Sequence, residues 1–155
     1  MKTLKESVKK KKPFDLPEQE AYLNLIYSQE KLSEGFSALF KPHGLTQPQY
    51  NVLRILRGVG SKGLSTMAIL EPMINRIPDI TRLVDRLVRR SYVKRQISKK
   101  DRRVIFVKIT AKGLDLLGKL DKPVLSLHKD QLGHLTRGEL SELNRLLQKS
   151  RYPRG

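Results

Sequence analysis

The chain contains no cysteine. That excludes disulfide frameworks, zinc–thiolate centres and thiol redox switching. No run of about 18 apolar residues occurs, so a membrane-spanning helix is excluded too. The basic stretch from Met1 to Lys12 is not followed by an apolar segment and does not read as a secretory signal. His43, His128 and His134 lack metal-ligand spacing with acidic partners, so no metal site is expected. No Ser/His/Asp arrangement or pair of carboxylates stands out, so neither an enzyme nor a cofactor is expected. Acidic residues are themselves scarce: 15 Asp and Glu face 32 Lys and Arg in 155 residues, a formal charge of +17. A cytoplasmic protein of one domain with an extension is the expectation. An excess this large points to a polyanionic partner: DNA, RNA or an anionic membrane surface.

The charge is unevenly spread. Residues 1–12 carry +5 and residues 13–64 are neutral. Residues 65–113 carry +9, and eleven of their thirteen cations lie between Arg76 and Arg103. Solubility alone gives no reason for such clustering, whereas contact with a nucleic-acid backbone does.

Hydrophobic periodicity gives the element order. Residues 1–13 read as a basic, mobile tail. Residues 14–45 read as one long helix with Tyr22, Ile26, Leu32, Phe36, Leu39 and Phe40 along a stripe, ended by Pro42 and Gly44. Thr46 and Gln49 form a capping box before a helix through Tyr50, Leu53 and Leu56. Ser65 caps a short helix that Pro72 must end or kink. Asn75 to Arg90 reads as the clearest helix, with Ile80, Leu83, Val84, Leu87 and Val88 on one face and Pro78 in its first turn. The period then changes to two. Val93–Ile97 and Val104–Ile109 make a hairpin whose tip is Ser98-Lys99-Lys100-Asp101-Arg102. Thr110 caps a helix that Pro123 threatens to kink or break, and Thr136 with Glu139 forms a second capping box. The fold class is mainly α with a small β-hairpin: a winged helix-turn-helix lobe at 46–110, flanked by helices at 14–45 and 111–150, with a tail at 151–155.

One face of the 75–90 helix carries the function. Asp79, Arg82, Arg86 and Arg89 lie opposite the apolar stripe, with Asn75, Arg76, Pro78 and Thr81 near its start. A helix anchored along its back can enter a DNA major groove, where Arg reads guanine and Asn reads adenine. Ser65 and Thr66, at the start of the preceding helix, complete the surface. Lys99, Lys100, Arg102 and Arg103, clustered beside Asp101, suit the minor groove and its phosphates. The plainer readings are a solvated basic face and a charged hairpin that resists edge aggregation. Gly58-Val59-Gly60-Ser61-Lys62-Gly63 fits a dinucleotide fingerprint literally, but without its strand context it reads as a surface turn.

Three stretches resemble a known family. Ile80-Thr81-Arg82-Leu83-Val84-Asp85-Arg86-Leu87, Ser91-Tyr92-Val93-Lys94-Arg95, and Asp101-Arg102-Arg103-Val104 with Ile109-Thr110-Ala111-Lys112-Gly113 are similar in order and spacing to MarR-family motifs. These are winged helix-turn-helix repressors and activators. The resemblance covers residues 46–113. It implies a homodimer built from the N- and C-terminal helices, and two recognition helices reading the successive major grooves of palindromic double-stranded DNA. It also implies a wing whose Arg103, paired with Asp101, reaches the minor groove. Ser91 stands where the family has glycine, which should strain the turn. Many members bind a small effector; Tyr22, Tyr27, His43 and Tyr50 are candidates, although ordinary core packing is the plainer reading. A dimeric, sequence-specific regulator, in repressor form, is the main expectation. A sequence-neutral architectural or ribosome-associated protein is the alternative, and a protein–protein module comes after it. No membrane partner is expected.

Overall fold

The computed structural model describes residues 2–74, 77–98 and 104–152. Helix α1 (Leu4–Ser7) is a single turn, and α2 (Pro17–Phe40) is the first long helix. Then follow α3 (Gln47–Val59), β1 (Leu64–Ser65), α4 (Thr66–Leu70) and α5 (Ile80–Arg89). Strands β2 (Val93–Ile97) and β3 (Ile105–Ile109) lead to α6 (Ala111–Leu132) and α7 (Arg137–Arg151). Among the described residues no helix is long and apolar enough to cross a membrane.

Local side chains set the helix starts. Thr46 Oγ1 accepts from the Gln49 amide while Gln49 Oε1 accepts from the Thr46 amide, at 3.4 and 2.9 Å. Thr136 and Glu139 repeat that exchange at the head of α7. Ser65, Asp79 and Thr110 cap α4, α5 and α6 with a side-chain oxygen.

The core lies where α2, α3, α5 and α6 meet the inner face of the sheet. Phe40, Val52, Leu53, Leu56, Ile69, Val84, Leu87, Val107 and Leu117 are sealed from solvent there. Helix α5 contributes Ile80, Val84 and Leu87, with Leu83 and Val88 half-buried beside them, so its apolar stripe faces inward as expected.

Four expectations need correcting. The recognition helix begins at Ile80 and not at residue 75; Pro78 lies in the turn before the cap, not in the first helical turn. Proline disfavours helical torsions in the residue before it, and the Asp79 carboxylate then takes the Arg82 amide at 2.8 Å. The β-structure is not a hairpin alone. The two-residue strand β1 pairs antiparallel with β3, giving the order β1-β3-β2. Such a strand is too short to show alternation. Helix α6 runs unbroken through Pro123, because Leu116, Leu117, Leu120 and Val124 bury one face across it. The carbonyl that Pro123 leaves without a helical donor belongs to exposed Lys119 and can bond water. Within the supposed tail, Leu4–Ser7 form a capped turn with Leu4 buried. After α2, a 3-10 turn at Lys41–His43 containing Pro42 leads to Gly44.

Two turns expected from sequence are present. Gly60 and Gly63 hold positive φ in the surface turn after α3, with no βαβ unit around them. Helix α4 ends at Leu70, two residues before Pro72.

Candidate nucleic-acid interface

The solvent face of α5 displays Thr81, Arg82, Arg86 and Arg89, all exposed. Asp79 is bound to the helix start, so its carboxylate orients the N-terminus rather than projecting freely. Beside it, a cleft of about 330 Å³ separates Pro78, Asp79, Arg82 and Arg86 from Thr46 and Pro48 at the start of α3. Ser65 and Thr66 are half-buried at the head of α4, with Ser65 Oγ accepting from the Ala68 amide at 3.2 Å. Asn75, Arg76, Lys99, Lys100, Asp101, Arg102 and Arg103 lie outside the described residues.

The base of the wing is well defined. Strand β2 pairs with β3 from Val93↔Ile109 to Ile97↔Ile105, and the Ser98 amide donates to the Val104 carbonyl at 2.8 Å. Lys94, Arg95 and Gln96 are exposed on β2. Arg95 pairs with Asp85 of α5 at 2.6 Å, tying the wing to the recognition helix. A closed turn joins the two. The Ser91 amide donates to Val88 and the Tyr92 amide to Leu87, with Ser91 at φ 61°. This is a Schellman ending with serine at the left-handed position usually held by glycine.

Further polar contacts, separated in sequence, attach this lobe to the long helices. Arg57 of α3 donates twice to Asp121 of α6, at 2.8 and 2.9 Å. These bonds hold the Asp121 carboxyl below the usual carboxylate range and raise the Arg57 guanidinium, burial opposing both shifts. Arg90 Nη1 donates to the His43 carbonyl at 3.0 Å, and Lys112 Nζ to the Arg90 carbonyl at 3.0 Å. Sequence reading missed these contacts. Only Asp85, Arg95 and Lys112 fell within its motifs.

The four effector candidates are dispersed. Tyr50 is buried and stacked on Phe40 at 4.5 Å, and burial pushes its hydroxyl pKa up. Tyr22 is 63% exposed, and Tyr27 lies under the Lys31 ammonium at 6.0 Å. His43 contributes its backbone carbonyl to Arg90. None of them lines the large groove of about 1040 Å³ between α2 and α7, which is walled by Leu25, Leu32, Leu140, Leu143, Leu146 and Leu147 among others. No side chain of α7 is fully buried.

Comparison with known proteins agrees with this geometry. The MarR family model matches residues 45–105, from two residues before α3 to the first residue of β3. A crystal structure of a MarR transcription factor from Planctomyces limnophilus is 42% identical, with a TM-score of 0.69, covering 88% of this chain and 98% of that one. A mutant of Escherichia coli MarR complexed with operator DNA is 26% identical, with a TM-score of 0.73, over 82% of this chain and 91% of that one. The curated transcriptional repressor MprA of Escherichia coli K12 is 26% identical over 147 residues, 86% of this chain and 84% of MprA.

Proposed function

The chain belongs to the MarR family of DNA-binding transcription regulators, and from that premise we propose that it is a dimeric repressor reading a palindromic operator. One observation carries this reading. Helix α5 is locked into the core by Ile80, Val84 and Leu87 while Thr81, Arg82, Arg86 and Arg89 face solvent. Such a helix presents Arg donors at the spacing of a major-groove reader. In this reading Asn75, Arg76 and Pro78 contact the same groove, Ser65 and Thr66 meet the adjoining phosphates, and the Lys99 to Arg103 segment serves the minor groove.

The dimer rests on the apolar groove between α2 and α7. A helix with no fully buried side chain beside a leucine-lined groove is an apolar surface of the kind that marks protein–protein contact. A second copy with the same groove covers it by two-fold symmetry. The two recognition helices then stand about one helical turn, roughly 34 Å, apart. Repression is the favoured sign because the curated relative MprA is a repressor. The protein acts in the cytoplasm, by occupying a promoter.

Selection of bound sites from a random duplex library tests this directly. Recovery of a palindrome with half-sites one turn apart is the expected result. Recovery of no consensus would overturn the reading in favour of a sequence-neutral architectural protein.

A further inference from the structure

Arg90 occupies a junction of three elements. It is the C-cap of α5, and its amide is bonded to the Arg86 and Val88 carbonyls. Its guanidinium donates to the His43 carbonyl, at the end of the turn that prolongs α2. Its carbonyl accepts from Lys112 in the first turn of α6. The recognition helix is thus tied at one residue to both long helices.

The His43 side of the junction is shaped to receive it. Gly44 follows with φ 60°, and Nη1, Nη2 and Cζ of Arg90 lie so close that a Cβ there would push the guanidinium aside. The torsion favours glycine, and the missing Cβ leaves room for the guanidinium to approach. The Gly44 and Leu45 amides close back onto the Lys41 and Phe40 carbonyls, so the turn is held from within. Electrostatics favours the docking. The carbonyl end of a helix is its negative pole, and Arg90 brings a cation to the end of the α2 run as Lys112 does to the end of α5.

We infer that Arg90 is a positioning residue that sets the angle between α5 and α2, and through it the separation at which paired recognition helices meet DNA. The inference rests on the two-half-site reading above. Leverage makes the angle consequential. Helix α2 has 24 residues, about 36 Å. A rotation of about 5° at its end moves the far end by about 3 Å, close to the rise of one base pair.

The experiment uses the full-length protein and duplexes carrying the selected palindrome, with its half-site separation native or changed by one base pair, and a random duplex. The unsubstituted protein should prefer the native separation. Arg90→Ala should bind the native duplex about five- to tenfold more weakly, the scale of one ordinary hydrogen bond, since this one is exposed to water. The penalty for altered separation should shrink by a similar factor, while random-duplex affinity and salt slope change less than about twofold. Arg90→Lys should recover part of the preference, since an ammonium can reach the carbonyl but lacks the second nitrogen that lies beside Gly44. It also supplies the answer if Arg90→Ala fails to fold. Equal weakening on all duplexes with a shallower salt slope would make Arg90 a phosphate contact and overturn the inference, as would an unchanged spacing preference in both variants. If the unsubstituted protein itself shows no spacing preference, the two-half-site reading falls and the inference with it.

Discussion

Ser91 holds φ at 61°, a conformation that costs a side-chain-bearing residue about 1 kcal/mol relative to glycine. Its amide and that of Tyr92 close the end of α5, so the torsion cannot relax without opening the turn. Ser91→Gly should therefore raise stability by about 1 kcal/mol, seen as a higher thermal midpoint. A lower midpoint would mean that the serine hydroxyl makes good the strain. Asp79 acts in the opposite sense. Replacing it with Ala removes the oxygen that accepts from the Arg82 amide and should cost about 1 kcal/mol in denaturant unfolding.

Among elements, the α3–α6 contact has a defined acid response. The two hydrogen bonds from Arg57 depress the Asp121 carboxyl when the chain is folded. A depressed carboxyl adds stability that is complete above its unfolded pKa and is lost as pH falls through the folded one. Asp121→Asn should thus flatten the loss of stability below about pH 4, measured as urea midpoints across the acid range. The effect should stay under about 1 kcal/mol, because both partners are open to water. Contacts of this kind also mark where sequence reading ends. The capping boxes at Thr46 and Thr136 and the apolar period of α5 were legible because each depends on residues three or four apart. The Arg90–His43 bond joins residues 47 apart, and β1 exists only because β3 is there to pair with it. The start of α5 was misplaced because periodicity carried the helix past Pro78, whose effect on Ile77 is local but weaker to the eye. Exposed Arg82 and Arg86 were found at once; the tie that aims their helix was not.

For the whole molecule, charge and apolar surface make separate claims. Arg82→Ala should lower the slope of log affinity against log salt by about 1 if the side chain meets a phosphate. A loss of base preference with an unchanged slope would place it on a base edge instead. Leu146, half exposed on α7, lines the groove beside α2. Leu146→Glu should shift the protein toward monomer in sedimentation and weaken operator binding with it. A monomer–dimer balance indifferent to this change would remove the α2–α7 groove from the interface.

The three-stranded sheet has one further consequence. Strand β3 is bonded on both edges, to β1 by Leu64↔Val107 and to β2 along its length, so its register is fixed from two sides. A slip of one residue would turn Val107 out of the core and Lys108 into it. Insertion or deletion within β3 would break the pairing on both edges at once. Descendants of this scaffold can exchange Lys108 singly on the outer face, but they inherit the length of β3 unaltered.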